Sequence, residues 1–243
     1  MKAVILAAGI ASRLRPLTNN TPKCLLNVGS KCLLARTIDS LIANGFDRLV
    51  IVTGYLKEMI ESFVSANYPD LRVEYIFNSK YDSTNNIYSL WLAKSAVQGQ
   101  SMLLLDSDIL FDSALISALL ESKQENCLAL NSHELGDEEI KVILNTDGQI
   151  TEISKTCSIE TAVGESVGIE KFSAEFVQDL YTELDDMILN KGQSGVFYEM
   201  AFENLIKKGA EIYTVDTTNI FSMELDTVED FETACAKIPA HLQ

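Results

Sequence analysis

Two hydrophobic rhythms alternate along the first half of the chain. Residues 2–7 (Lys-Ala-Val-Ile-Leu-Ala) are an apolar run that ends at Gly9, the pattern of a buried strand. Leu33, Leu34, Thr37, Ile38, Leu41 and Ile42 then recur at helical spacing, and Asn44-Gly45 supplies a C-terminal stop. Further strands are predicted at 48–53, 72–77 and 102–106, with helices at 56–66 and 86–97. Strands separated by helices imply an α/β fold, a parallel sheet with helices on both faces.

After about residue 127 the rhythm changes. Residues 127–131, 141–144 and 149–154 are strand-like, and Asn145-Thr146-Asp147-Gly148 makes a hairpin connection between the last two. Residues 165–172 read as another strand, followed by helices at 173–190 and 196–208, strands at 211–215 and 221–225, and a helix from Val228. No linker, repeat or low-complexity run separates the halves. With 243 residues and 47% hydrophobic content, a single domain over 1–243 is expected, with halves of about 1–126 and 127–243.

Composition narrows the classes. No run of about 18 apolar residues is present, so membrane insertion is not expected. The N-terminus has no signal-peptide pattern. The five cysteines are scattered without a C-x-x-C pair, which fits a reducing, cytoplasmic setting rather than a disulfide framework or zinc site. A net charge of −16 argues against nucleic-acid binding. Yet Lys2, Arg13, Arg15, Lys23, Lys31 and Arg36 all precede the first acid, Asp39. A basic segment on an acidic chain suits a bound polyanion, or simply a solvated face.

The loop leaving the first strand sharpens that choice. Between Leu6 and Lys23 the chain passes through Ala7, Ala8, Gly9 and Ala11, small residues whose backbone amides can approach an anion, with Arg13 and Lys23 supplying charge. G-x-G-x-x-G is absent, and no Gly-Lys-Ser/Thr follows, so neither the dinucleotide nor the Walker A pattern applies. Downstream, Leu103-Leu104-Leu105 runs into Asp106 and Asp108, and Phe221-Ser-Met runs into Glu224 and Asp226. Two acids converging from separate strand ends can hold Mg²⁺ with water and triphosphate oxygens. Each alone reads equally as a helix cap, Asp226 before Thr227-Val228 above all. Between these segments, adjacent Asn85 and Asn86 open a helix with paired donors and acceptors suited to a pyrimidine edge. Tyr81, Tyr88 and Trp91 beside them could form part of an aromatic cage, or pack the helix face.

The segment Leu6–Lys23 resembles the signature of nucleoside-triphosphate transferases of the sugar-nucleotide pyrophosphorylase type, with Ala11 where the pattern has its second glycine. If that position needs positive φ, alanine costs about 1 kcal/mol. The stretch Asn78-Ser-Lys-Tyr81 through Asn85-Asn86-Ile-Tyr-Ser-Leu is similar to cytidylyltransferases acting on phosphocholine. So are Glu152-Ile-Ser-Lys155, Gly164-Glu-Ser-Val-Gly168 and Phe197-Tyr198-Glu199; all of these also resemble enzymes that cytidylylate 2-aminoethylphosphonate.

The resemblance implies a Rossmann-like, mostly parallel sheet with helices on both faces and a β-rich acceptor-binding region, as in nucleotide-diphospho-sugar transferases. It implies a nucleotide-binding first half and an acceptor-binding second half. Nucleotide contacts fall to Leu6, Ala7, Ala8, Gly9, Lys23, Asn78, Asn85, Asn86 and Asp106, and catalysis to Arg13 and Lys23. Asp108 and Asp226 are the metal positions, with Asp106 and Glu224 as close support and Mg²⁺ the expected ion. Trp91, Lys155, Tyr198, Glu199 and Glu224 are expected at the acceptor. The implied reaction joins CMP from CTP to phosphocholine or a similar small phosphorylated amine, with 2-aminoethylphosphonate the alternative acceptor, and releases pyrophosphate without a general base. His133 and His241 lie outside every motif. A hexose-1-phosphate nucleotidyltransferase and a non-catalytic nucleotide-binding module are the rival classes. Assembly as a homo-oligomer stays open.

Overall fold

A computed structural model describes the whole chain, Met1–Gln243. It begins with β1 (Lys2–Ala7), a short hairpin of β2 (Asn27–Val28) and β3 (Lys31–Cys32), and α1 (Leu33–Ala43). Then come β4 (Arg48–Thr53), α2 (Lys57–Asn67), β5 (Arg72–Phe77), α3 (Asn86–Leu92), α4 (Lys94–Val97) and β6 (Met102–Asp106). A short β7 (Ile109–Phe111) and α5 (Ala114–Glu121) lead to β8 (Cys127–Asn131), β9 (Lys141–Leu144), β10 (Ile150–Ser154) and β11 (Gly164–Phe172). The chain ends with α6 (Ala174–Asp185), α7 (Glu199–Lys207), β12 (Tyr213–Asp216), β13 (Ser222–Glu224) and α8 (Val228–Lys237).

Central β1 accounts for the first apolar run. Val4 and Leu6 belong to one buried cluster, and Ala3, Ile5 and Ala7 to another on the opposite face. A strand covered on both sides has no solvent face, so polar alternation disappears. Helices α1, α2 and α5 close one side through Ile38, Leu41, Ile60, Val64, Leu115 and Leu119. Helices α3, α6 and α7 close the other through Ile87, Leu90, Phe176, Leu180 and Phe202.

Strands β6, β1, β4 and β5 pair in parallel in that order. The β-rich second half does not form a sheet of its own. Strand β11 pairs antiparallel with β6, β8 and β9, so one nine-stranded sheet runs through both halves. Its register shifts between Ser166 and Glu170, around Gly168 at φ 78°. A Cβ at Gly168 would meet Asp106 Oδ2 at 2.9 Å, so glycine serves both the turn of the backbone and the close approach.

Several expected elements differ. The helix over 86–97 breaks at Ala93 into α3 and α4, and the helix expected from 196 starts at Glu199. The helix expected to reach 190 ends at Asp185 and loosens into a π turn over Asp186–Asn190. Helix α5 and strand β7 were not expected from the sequence pattern.

Candidate active site

The carboxyl ends of β1 and β6 open into a cleft of about 940 Å³, where an open α/β sheet receives its ligands. Leu6, Ala7, Ala8, Gly9, Arg13 and Lys23 line it from the first loop. Asn78, Asn85, Asn86, Asp106 and Asp108 line it from the middle of the chain, and Lys155, Glu199, Glu224 and Asp226 from the second half. Trp91 and Tyr198 do not.

The two acid pairs meet because β13 pairs antiparallel with β7, setting Glu224 opposite Ile109, while Leu225 N donates to Asp108 O at 3.1 Å. The carboxylate oxygens of Asp108, Glu224 and Asp226 lie within 4.8 Å of one another. Lys23 Nζ donates to Asp108 Oδ2 at 2.9 Å and to Asp226 Oδ1 at 2.6 Å, and Arg13 pairs with the other oxygen of Asp226. Asp108 Oδ1 is buried with no hydrogen-bond partner. An all-oxygen donor set with a buried, unsatisfied carboxylate oxygen fits a hard divalent cation. Glu224, expected both beside the metal acids and at the acceptor, stands in the acid cluster.

The charges here are strongly coupled. Burial works against charged Lys23, but Asp108 and Asp226 outweigh it and hold its pKa above the ordinary value. Burial and the charges of Asp108 and Asp226 push Glu224 up to about 8. Burial also opposes ionised Asp226, but Lys23 and Arg13 prevail and keep its pKa low.

The first loop is held in a strained shape. Ala11 has φ 51° and ψ 53°, the left-handed region, and its carbonyl accepts from Thr18 Oγ1 at 2.8 Å. Gly54 lets the end of β4 press on this loop, since a Cβ there would meet Ala8 O at 2.4 Å.

At the amide segment, Asn78 is buried and braced: its Nδ2 donates to Ser89 Oγ at 3.0 Å and Thr84 Oγ1, and its Oδ1 accepts from Lys80 N. Asn85 Oδ1 accepts from Asn86 N at 2.7 Å, and Asn86 Oδ1 accepts from Tyr198 N at 3.0 Å. These bonds orient both amides and leave each Nδ2 without a protein acceptor.

Two acceptor residues need correction. Trp91 packs against the core and its indole N–H donates to Asp185 at 2.9 Å, so its ring is outside the cleft. Tyr198 is fully buried, and its hydroxyl donates to Asp106 Oδ2 at 3.0 Å and Glu170 Oε1 at 3.3 Å. A phenol packs its ring in the core and turns its O–H to a buried acceptor, which is what the Asp106 and Glu170 carboxylates provide. Burial, with the charges of neighbouring acids, lifts Asp106 and Glu170 well above the usual range. Burial also lifts Glu199 to about 7, against its own backbone N–H and Lys155.

The cleft also holds residues that sequence missed. His133, at the end of β8, pairs through Nε2 with Glu165 at 2.7 Å. Glu138 reaches Lys155 Nζ at 3.2 Å and Arg13 Nη1 at 3.6 Å, a carboxylate between two cations. No local motif marks either; the loop after β8 delivers both. Phe197 is the exposed neighbour of buried Tyr198, and Lys155 Nζ sits 5.0 Å from its ring centre.

The model of the nucleotidyl transferase family matches residues 2–133. The chain is 27% identical over 258 residues to the CTP:phosphoglutamine cytidylyltransferase of Campylobacter jejuni, covering 98% of this chain and 100% of that one. It is 28% identical over 229 residues to the 2-aminoethylphosphonate cytidylyltransferase of Lancefieldella rimae, covering 94% of this chain and 89% of that one. Among solved structures, the CTP:phosphocholine cytidylyltransferase of Streptococcus pneumoniae matches with a TM-score of 0.81 and 25% identity, over 98% of this chain and 99% of that one.

Proposed function

Because the chain belongs to the nucleotidyl transferase family, we propose that it transfers the cytidylyl group of CTP to a small phosphorylated or phosphonylated amine. An oxygen of the acceptor's phosphate attacks the α-phosphorus of CTP, and the bond from that phosphorus to the bridging oxygen breaks. Pyrophosphate leaves with the bonding pair. An ionised phosphate is already a nucleophile, so catalysis reduces to positioning and charge neutralisation.

The observation that carries this reading is the junction of Lys23, Asp108, Glu224 and Asp226 beside the small-residue loop. Asp108, Glu224 and Asp226 would hold Mg²⁺, whose charge, when bound, neutralises triphosphate oxygens. Lys23 and Arg13 place two further cations at the same edge, toward the α-phosphate and the leaving group. The free Nδ2 groups of Asn85 and Asn86 are paired donors. Cytosine offers adjacent acceptors at O2 and N3, whereas uracil has N–H at N3, so paired donors favour CTP over UTP. Lys155, beside Phe197 in the cleft lining, suits the acceptor's phosphate.

The test is pyrophosphate release with CTP, UTP and ATP against phosphocholine, 2-aminoethylphosphonate and glucose-1-phosphate. CTP with an amine should dominate. Turnover confined to UTP and glucose-1-phosphate would replace this reading with the sugar-nucleotide one.

A further inference from the structure

The cleft lining contains a carboxylate with one oxygen that no protein group satisfies. Glu199 opens α7 and lines the cleft, only 5% exposed, and its Oε2 is buried without a hydrogen-bond partner. Glu170 Oε2, beneath it in β11, is likewise buried and unpartnered. A buried acceptor left unmade costs about 1–3 kcal/mol, so such atoms mark where a donor is expected.

No aromatic cage stands nearby to take a cation without N–H groups. Trp91 is tied to Asp185 outside the cleft, and Tyr88 packs against it in a tilted arrangement at 5.3 Å with Lys80 over the Tyr88 face. Tyr198 is buried. The ring of Phe197 already carries Lys155 Nζ at 5.0 Å. Tyr81 lies against Tyr55 at 6.2 Å, beside the nucleotide loop rather than with Phe197. A quaternary ammonium gains its recognition from ring faces, whereas a protonated amine gains it from carboxylate oxygens.

We propose that the acceptor's cation is an ammonium carrying at least one N–H, which it donates to the Glu199 carboxylate, and that a quaternary ammonium is disfavoured. This rests on the cytidylyl-transfer reading above. Lys155 Nζ lies 5.0 Å from the ring centre of Phe197, two residues before Glu199, so with Lys155 on the phosphate the ammonium is a short linker away at Glu199.

The experiment is a methylation series on one acceptor skeleton: phosphoethanolamine, its N-methyl and N,N-dimethyl forms, and phosphocholine, each with saturating CTP. Because a site built for an N–H donor rejects the analogue lacking it, kcat/KM should fall by about tenfold or more at the last methylation. Glu199→Gln should lower kcat/KM for phosphoethanolamine and bring its ratio to phosphocholine toward one. Glu199→Asp, which keeps the charge, should retain the preference at a reduced rate. If phosphocholine equals or exceeds phosphoethanolamine while CTP is consumed, the proposal is overturned and the cytidylyl reading stands. A preference that survives Glu199→Gln overturns the assignment to Glu199. If CTP transfers to no amine in the series, both fall.

Discussion

Lys23 is a lysine held between Asp108 and Asp226 with only 11% of its side chain exposed. Lys23→Ala removes both a cation from the reacting phosphates and the counter-charge of three clustered acids. Turnover should fall by about a hundredfold or more. Without divalent ion the melting temperature should also fall, since the acids then repel. Added Mg²⁺ should restore the melting temperature and leave turnover low; near-normal turnover would show the lysine to be structural. Ala11 makes a second case. Its left-handed backbone costs about 1 kcal/mol. Ala11→Gly relieves that but frees the unfolded chain by about 0.4–1 kcal/mol, so urea denaturation should show a net change under about 1 kcal/mol. Ala11→Val puts a branched side chain in the same region and should cost about 1–3 kcal/mol. A valine variant as stable as the parent would mean the loop adopts another shape in solution. Both residues were legible in the sequence because the loop is one continuous segment. The acceptor side was not. Which neighbour of the Phe197-Tyr198-Glu199 run faces the cleft depends on where α7 starts; it starts at Glu199, three residues later than expected, with Tyr198 in the core.

At the scale of elements, the acid cluster depends on the β7–β13 ribbon and the cap of α8. Thr227 Oγ1 accepts from Asp230 N at 3.1 Å, and Asp230 Oδ2 accepts from Thr227 N at 2.8 Å and from Asp226 N at 3.2 Å. A capping box therefore places Asp226, but the cap itself is Thr227. The Asp226 carboxylate accepts from Lys23 and Arg13, while Asp108 leads into β7, so of the two sequence readings of these acids the cluster holds and the helix cap does not. Asp230→Ala should lower unfolding free energy by about 1 kcal/mol. It should also raise the divalent-ion concentration needed for half-maximal rate, with kcat largely recovered at high ion. An unchanged ion requirement would separate the cap from the cluster. The ribbon was half legible. Phe221–Leu225 has strand character in sequence, but three-residue β7 is too short to show a period. Helix α5 did carry a signal, Asp112 accepting from Ala114 N ahead of Leu115, Ile116 and Leu119 at helical spacing. Its brevity between two strands hid it. The central strands were read almost to the residue, because burial on both faces leaves continuous apolar runs that no turn interrupts.

Over the whole molecule, ionisation sets a stability maximum on the acid side of neutrality. A net charge of −16 repels itself more as pH rises. Glu199, lifted by burial from 4.5 to about 7, binds its proton more tightly folded than unfolded. The folded state therefore loses ground as pH climbs through that window. His133, raised by Glu165 against the effect of burial, contributes stability below 6.5 that is lost as pH rises past its folded value. In the other direction, the Ala114 N–H holds Asp112 low, and Lys23 holds Asp226 low against burial; their stability is present above 3.8 and lost as pH falls. The melting temperature, followed calorimetrically in EDTA, should therefore peak near pH 5. It should fall toward pH 8 by the equivalent of about 1–3 kcal/mol, roughly 2–10 °C for a chain of this size. Glu199→Gln should flatten that slope. Mg²⁺ should stabilise the protein at pH 8 by mass action, but much less at pH 5, where Glu224, lifted to about 8, keeps its proton. A melting temperature that rises from pH 5 to pH 8 in EDTA would mean that the buried carboxylates ionise freely. Glu199 would then already have a donor, and the cleft would hold no unsatisfied acceptor to recognise an ammonium.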